Sequence, residues 1–297
     1  MSNGCLRTGS NSIIIGKNHY CKFLPIKKSK LLKITKISEN HNEFTNLHIV
    51  RTIDNYKKYY SIPEETCYLL NPSHQFYEYI QNLVCLRKIN IFGGTLQCYF
   101  IEFAGDKDLL KSIADLHDNA PCSYWKSYKQ ILRFINKMLL AIMYLHENKL
   151  CHLDIKPENI VVNTTLKKYK LIDFGFASKE PFDDYIQNLR GTSKYFPKQI
   201  EYNDNTPWFP KIKANDLDGN IPMQTNRKLV YKVDSYCLGR VLYLLKYIFK
   251  ENRSCYCYNY EFKKEIKIDN IISDLLENDV LIRMTVTEIL NKYYKKN

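Results

Sequence analysis

The chain has 297 residues, 45% hydrophobic and 25% charged, with a net charge of +13. That length suits one large domain or two small lobes around a cleft, and the apolar content excludes a disordered chain. The positive charge favours anionic partners, but the lysines are scattered. Short groups such as Lys27-Lys28-Ser29-Lys30 come without a zinc finger or other nucleic-acid motif, so nucleic acid is not expected as the primary partner.

The first third alternates short apolar runs with turn residues. Ser12–Ile15, Cys21–Ile26, Lys88–Phe92 and Leu96–Phe103 read as strands, with Gly93-Gly94 as a hairpin turn between the last two. One helix interrupts them at about Glu39–Ile53, where Phe44, Leu47 and Val50 recur at helical spacing. Residues 54–82 carry no clear period. From residue 108 the pattern turns helical. Tyr124–Glu147 sets Ile131, Ile135, Met138, Leu139, Ile142 and Leu145 on one face; Val233–Phe249 and Thr285–Tyr293 are two further helices. The most apolar late stretch, Leu238–Phe249, is broken by Arg240 and Lys246 and is too short to span a bilayer, so no membrane partner is expected. A β-rich first part followed by an α-rich remainder predicts an α+β protein of two lobes.

The residues that carry chemistry follow the long helix. Cys151-His152-Leu153-Asp154-Ile155-Lys156-Pro157-Glu158-Asn159 precedes Asp173-Phe174-Gly175, with fourteen residues from Asn159 to Asp173. The ordered set resembles the catalytic loop and magnesium loop of eukaryotic-type protein kinases, H-R-D-x-x-x-x-N and D-F-G. The resemblance implies a bilobal kinase-like fold. Residues 1–104 would form an N-lobe with a small antiparallel sheet and one helix, and residues 105–297 a mainly helical C-lobe. It also implies ATP as phosphoryl donor, Mg²⁺ (or Mn²⁺) as the metal, and protein substrates. Asp154 would orient the acceptor hydroxyl and take its proton, and Lys156 would offset charge on the transferred phosphoryl group. Asn159 and Asp173 would hold the metal. The D-I-K-P-E-N form resembles serine/threonine kinases. Gly191-Thr192 resembles the start of the substrate loop, where Thr192 would bond the catalytic pair and Tyr195 would follow. Asp234 would bond backbone of the catalytic loop, and Arg283-Met284-Thr285 would brace the substrate loop. The basic charge points to acidic substrates.

The N-terminal matches are weaker. Leu6-Arg7-Thr8-Gly9-Ser10-Asn11-Ser12-Ile13-Ile14 aligns with a glycine-rich phosphate loop through Gly9 alone, and places Ile14 over the nucleotide. Leu24-Pro25-Ile26-Lys27 resembles the V-A-I-K of the third strand. Pro25 fits an internal strand poorly, which leaves Lys28, Lys30 and Lys17 open beside Lys27 as the ATP lysine. Glu43, with Leu47 and Val50 four and seven residues on, would be its helix partner, with Glu39 competing. Ile101-Glu102-Phe103-Ala104-Gly105 resembles the hinge. Ile101 would back the adenine pocket, and the backbone of Glu102 and Ala104 would bond adenine.

Two departures bear on regulation. Leu153 replaces the arginine that would pair with a phosphorylated activation loop, so phosphorylation there is not expected to be required. The usual A-P-E reads Pro197-Lys198-Gln199, with Glu201 as a substitute for Gln199 toward Arg283. The resemblance runs from about residue 6 to the last residue, and no separate regulatory module is expected. None of the ten cysteines forms C-x-x-C and the N-terminus lacks an apolar signal core. Reduced thiols and an intracellular setting, cytoplasmic or nuclear, are the expectation. The compact, divergent form is similar to kinases of large DNA viruses, which would make that setting a host cell. A competing reading is a pseudokinase that binds partners without turnover.

Overall fold

A computed structural model describes residues 6–8, 12–15, 30–36, 42–84, 94–102, 104–118, 124–183, 191–197, 227–251 and 261–295. The chain divides into two compact units. The first comprises residues 1–41 and 61–106, the second residues 42–60 and 107–297. The segment 42–60, which in sequence falls between strands of the sheet, thus groups with the helical unit.

The first unit is built on an antiparallel sheet of five strands: β1 (Leu6–Thr8), β2 (Ser12–Ile15), β3 (Lys30–Lys36), β4 (Pro63–Leu70) and β5 (Leu96–Glu102), in the order β1-β2-β3-β5-β4. β2 has the expected bounds, and β5 ends one residue before the expected Phe103. The strands expected at 21–26 and 88–92 lie outside the described residues. β3 and β4 were not expected at all. In β3, Leu32 and Ile34 are fully buried, and their antiparallel partners Phe100 and Cys98 are also in the core. Side chains alternate across a strand, so Leu31 and Lys33 face the other way and are half-buried. One helix was expected in the first part of the chain. A second one, Gln75–Val84, follows β4 and buries Phe76, Tyr77 and Ile80 at helical spacing.

The second unit begins with α1 (Asn42–Thr52), whose Leu47 and Val50 are buried as their spacing predicts. The helix Gln75–Val84 is α2 in chain order. The remaining helices are α3 (Leu109–His117), α4 (Tyr128–Glu147), α5 (Tyr231–Glu251), α6 (Phe262–Leu275) and α7 (Val286–Tyr293). α4 starts later than Tyr124 because Ser127 caps it, accepting from the Gln130 N–H at 3.3 Å. All six apolar residues of its predicted stripe are buried, each contributing on the order of 2 kcal/mol. α5, α6 and α7 pack around it. α7 opens with a reciprocal capping box between Thr285 and Glu288.

Short strands then carry the loops that matter. β6 (Lys107–Asp108), β8 (Ile160–Asn163) and β9 (Lys168–Leu171) form one sheet in the order β6-β8-β9. β7 (Leu150–Cys151) pairs with β10 (Ser178–Lys179). Among the described residues no helix is long and apolar enough to cross a membrane.

Candidate active site

The catalytic loop hangs from the end of α4. A turn with Lys149 at φ 59° leads into β7, and the chain then runs through His152–Lys156 into a single 3-10 turn, Pro157–Asn159. Leu153 sits in left-handed backbone, φ 60°, a conformation that costs a non-glycine residue energy. Asp234, fully buried in the first turn of α5, offsets it. Its Oδ1 accepts from the Leu153 N–H and its Oδ2 from the His152 N–H, both at 2.8 Å. His146 Nε2 lies 3.0 Å from the same Oδ2. His146, Cys151 and Asp234 bring three ligand-type atoms within 4.8 Å of one another. Because both Asp234 oxygens are committed to the backbone, the cluster is an anchor for the loop.

The anchored loop presents a closed polar network. Asp154 Oδ1 accepts from Thr192 Oγ1 at 2.6 Å. Its Oδ2 accepts from Asn159 Nδ2 at 2.8 Å and is paired with Lys156 Nζ at 2.7 Å. Lys156 Nζ also donates to Thr192 Oγ1 at 2.8 Å. Asp154 is 4% exposed, so these donors replace the water that its charge would otherwise hold. Thr192 is delivered by Gly191, whose φ of +134° suits glycine.

The β8–β9 hairpin explains the spacing of fourteen residues from Asn159 to Asp173. Ile160 pairs with Leu171, so the two strands leave the hairpin side by side, and the Ile172 N–H donates to the Asn159 carbonyl at 2.9 Å. Asp173 follows directly, at φ 64°, with its side chain exposed. Both Asn159 Nδ2 bonds go to Asp154, to its carbonyl at 2.9 Å and to its Oδ2. The side-chain carbonyl oxygen of Asn159 is thus the atom left to face a cation. Two oxygen donors, one of them a carboxylate, suit Mg²⁺ or Mn²⁺. Behind the loop, Phe174 is buried against His152 at 5.0 Å and edge-on to Tyr60 at 5.8 Å, and the Tyr60 hydroxyl donates to the Ala141 carbonyl at 2.5 Å. From α1, Asn46 Nδ2 donates to the Ala177 carbonyl at 2.6 Å.

The expected nucleotide residues fall less evenly. Gly9, Lys17, Lys27 and Lys28 lie outside the described residues. Glu43 is in the first turn of α1. Ile14, Ile101 and Glu102 are on the sheet, with Glu102 opposite Lys30, and Ala104 is half-buried beyond β5. The third strand is Lys30–Lys36 and brings forward a residue that motif matching passed over. Lys33 is paired with Ile14 on one side and Tyr99 on the other, while Leu31 is paired with Ile101. Directly paired residues share a face, so Ile14, Leu31, Lys33 and Ile101 line one side of the sheet. Lys30-Leu31-Leu32-Lys33 matches V-A-I-K less closely than the segment ending at Lys27, but it carries no proline.

Arg283 is 1% exposed. It donates to the Glu277 carbonyl through Nε at 2.7 Å and to the Asn278 carbonyl through Nη2 at 3.2 Å, and it stacks over Tyr236 at 4.7 Å. Burial pushes its guanidinium down to about 10. Its expected partners Gln199 and Glu201 lie outside the described residues.

The Asp154 carboxylate is thus held by a loop lysine, an amide and a threonine, beside an exposed carboxylate at the end of a hairpin, and the chain belongs to the protein kinase domain family, which matches residues 81–295. It is 32% identical over 107 residues to the striated muscle preferentially expressed protein kinase of Danio rerio, covering 35% of this chain and 3% of that protein. It is 30% identical over 106 residues to the serine/threonine-protein kinase ULK3 of Xenopus laevis, covering 33% of this chain and 23% of that one. The matched segments thus span well under two thirds of either relative. In fold it is similar to the Cydia pomonella granulovirus kinase PK-1, with a TM-score of 0.58 at 15% identity over 99% of this chain and 93% of that one.

Proposed function

We propose that the chain is a serine/threonine protein kinase that transfers the γ-phosphate of ATP to hydroxyls of protein substrates. The observation that carries this is the network joining Asp154, Lys156, Asn159 and Thr192. Asp154 orients the acceptor hydroxyl and takes its proton. Lys156, already between Asp154 and Thr192, offsets charge that develops on the transferred phosphoryl group. Thr192 ties the segment 191–197 to the base, so acceptor loop and base keep one register. Asn159 and Asp173 are the residues that would hold Mg²⁺, or Mn²⁺ in its place; when bound, the metal neutralises phosphate charge.

On the nucleotide side we assign the ATP lysine to Lys33, because it shares a sheet face with Ile14 and Ile101. Glu43, Gly9 and the backbone at Glu102 and Ala104 complete the assignment. Leu153 is fully buried and offers no cation to a phosphate, which supports activity without activation-loop phosphorylation. The charge of +13 supports acidic substrates. Cys98, Cys151 and Cys237 are buried and in no disulfide, in keeping with a reducing compartment, cytoplasmic or nuclear.

The test is transfer from Mg-ATP to a panel of Ser, Thr and Tyr acceptor proteins, run beside Asp154→Asn and a phosphatase-treated sample. Transfer to Ser and Thr is expected, unchanged by phosphatase and reduced by about 10²–10⁴ in the variant. Equal signal from wild type and variant would overturn the catalytic assignment. No signal from either would favour a partner-binding scaffold without turnover.

A further inference from the structure

Away from the catalytic network, the second unit gathers amines around one tyrosine ring. Tyr59 is 3% exposed. The Nζ of Lys137, on α4, lies 4.0 Å from its ring centroid, and the Nζ of Lys58 lies 5.3 Å from the same centroid. Tyr144 packs tilted against this ring at 5.0 Å. The Leu171 N–H donates to the Tyr59 carbonyl at 2.9 Å, which fixes β9 beside the segment 56–60. Lys168 and Lys170, two apart on β9, share one face of that strand. Lys58 and Lys168 are exposed and Lys137 is half-buried.

This clustering is electrostatically unfavourable as it stands. Among the described residues, Lys58, Lys137 and Lys168 form no ion pair. Burial, and after it the cations Lys58, Lys168 and Lys170, push the Lys137 ammonium down to about 8. Glu147 acts instead on Tyr144 and Tyr60, and it sits ten residues farther along α4 than Lys137. A bound anion would relieve the repulsion.

We infer that the amines of Lys58, Lys137 and Lys168 form a docking site for an acidic segment of a protein partner. Two features select a peptide over a nucleic acid. The Tyr59 ring on which the amines converge is buried, so it is not offered for base stacking. The amines sit on one helix, one 3-10 turn and one short strand, rather than along a groove that could track a phosphate backbone. Calling the partner a substrate rests on the kinase reading; the binding does not.

The experiment is fluorescence anisotropy of a short, labelled Glu- and Asp-rich peptide with the full chain, without nucleotide. Wild type is compared with Lys58→Gln/Lys137→Gln/Lys168→Gln, with the single variant Lys168→Glu at an exposed position, and with Asp154→Asn. The triple variant should weaken binding by about tenfold or more and flatten its salt dependence, and the single reversal should weaken it several-fold. Asp154→Asn should bind as wild type does, so failure of the docking site and failure of the catalytic reading give different results. Unchanged affinity in folded lysine variants, no binding by wild type, or equally tight binding of an oligothymidylate of matched charge would each overturn the proposal.

Discussion

Gly191 shows how little freedom the acceptor side of the network has. A Cβ at this position would fall 2.0 Å from Cζ of Phe196 and 2.6 Å from the Leu153 carbonyl oxygen, on a backbone at φ +134°. Gly191→Ala should therefore cost more than about 2 kcal/mol of stability and lower kcat, because Thr192 is the next residue. Thermal melting beside steady-state kinetics checks this, and a melting point within a degree of wild type would contradict it. Leu153 and Asp173 also adopt left-handed backbone, at φ 60° and 64°. Nothing in their side chains announces that geometry. Asp234 holds the first of them through two backbone bonds from α5, about eighty positions along the chain. The identities of Asp154, Lys156, Asn159 and Asp173 were legible from motif spacing, since each stands on a short local turn or hairpin. The donors that converge on Asp154 were legible only in part, because Thr192 approaches from a separate loop.

Strands and helices differed in how readily they could be read. α4, α5 and α7 kept their predicted positions to within a few residues, because each buries a stripe that a 3.6-residue period displays. β3 was missed because Leu31-Leu32 breaks strict alternation and three lysines punctuate the run. Its place became visible only through pairing with β2 and β5. The consequence is testable. Lys33→Met should reduce kcat/KM for ATP by at least about a hundredfold, as loss of a phosphate-binding cation does. Lys27→Met should leave it within a few-fold of wild type. The opposite ranking, measured by steady-state kinetics on folded variants, would return the assignment to Lys27.

The division of the chain crosses its linear order. Residues 42–60 belong with the helical unit although they are bracketed by strands of the sheet. The ties are specific: Asn46 to the Ala177 carbonyl, Tyr60 to the Ala141 carbonyl and to Phe174, and Tyr59 to Leu171 and Lys137. Hydrogen exchange in mild denaturant should therefore show amides of 46–60 opening with those of α4, not with β4 and β5. Exchange that tracks the sheet strands would show that these ties do not set local stability. Phe174 is the residue after Asp173, so the packing of Tyr60 reaches the segment that holds this candidate metal ligand.

The sequence by itself determined the family and a candidate catalytic set, because phosphoryl transfer demands particular donor atoms at spacings that one helix end, one turn and one hairpin can provide. It determined the main helices as well, through periodic burial. The pairing of β3 with β2 and β5, the unit to which 42–60 belongs and the gathering of amines at Tyr59 were decided only in three dimensions. Each of these depends on contacts between segments tens of residues apart. A lysine carries no mark in the sequence of which strand face it will occupy or which other cations it will meet.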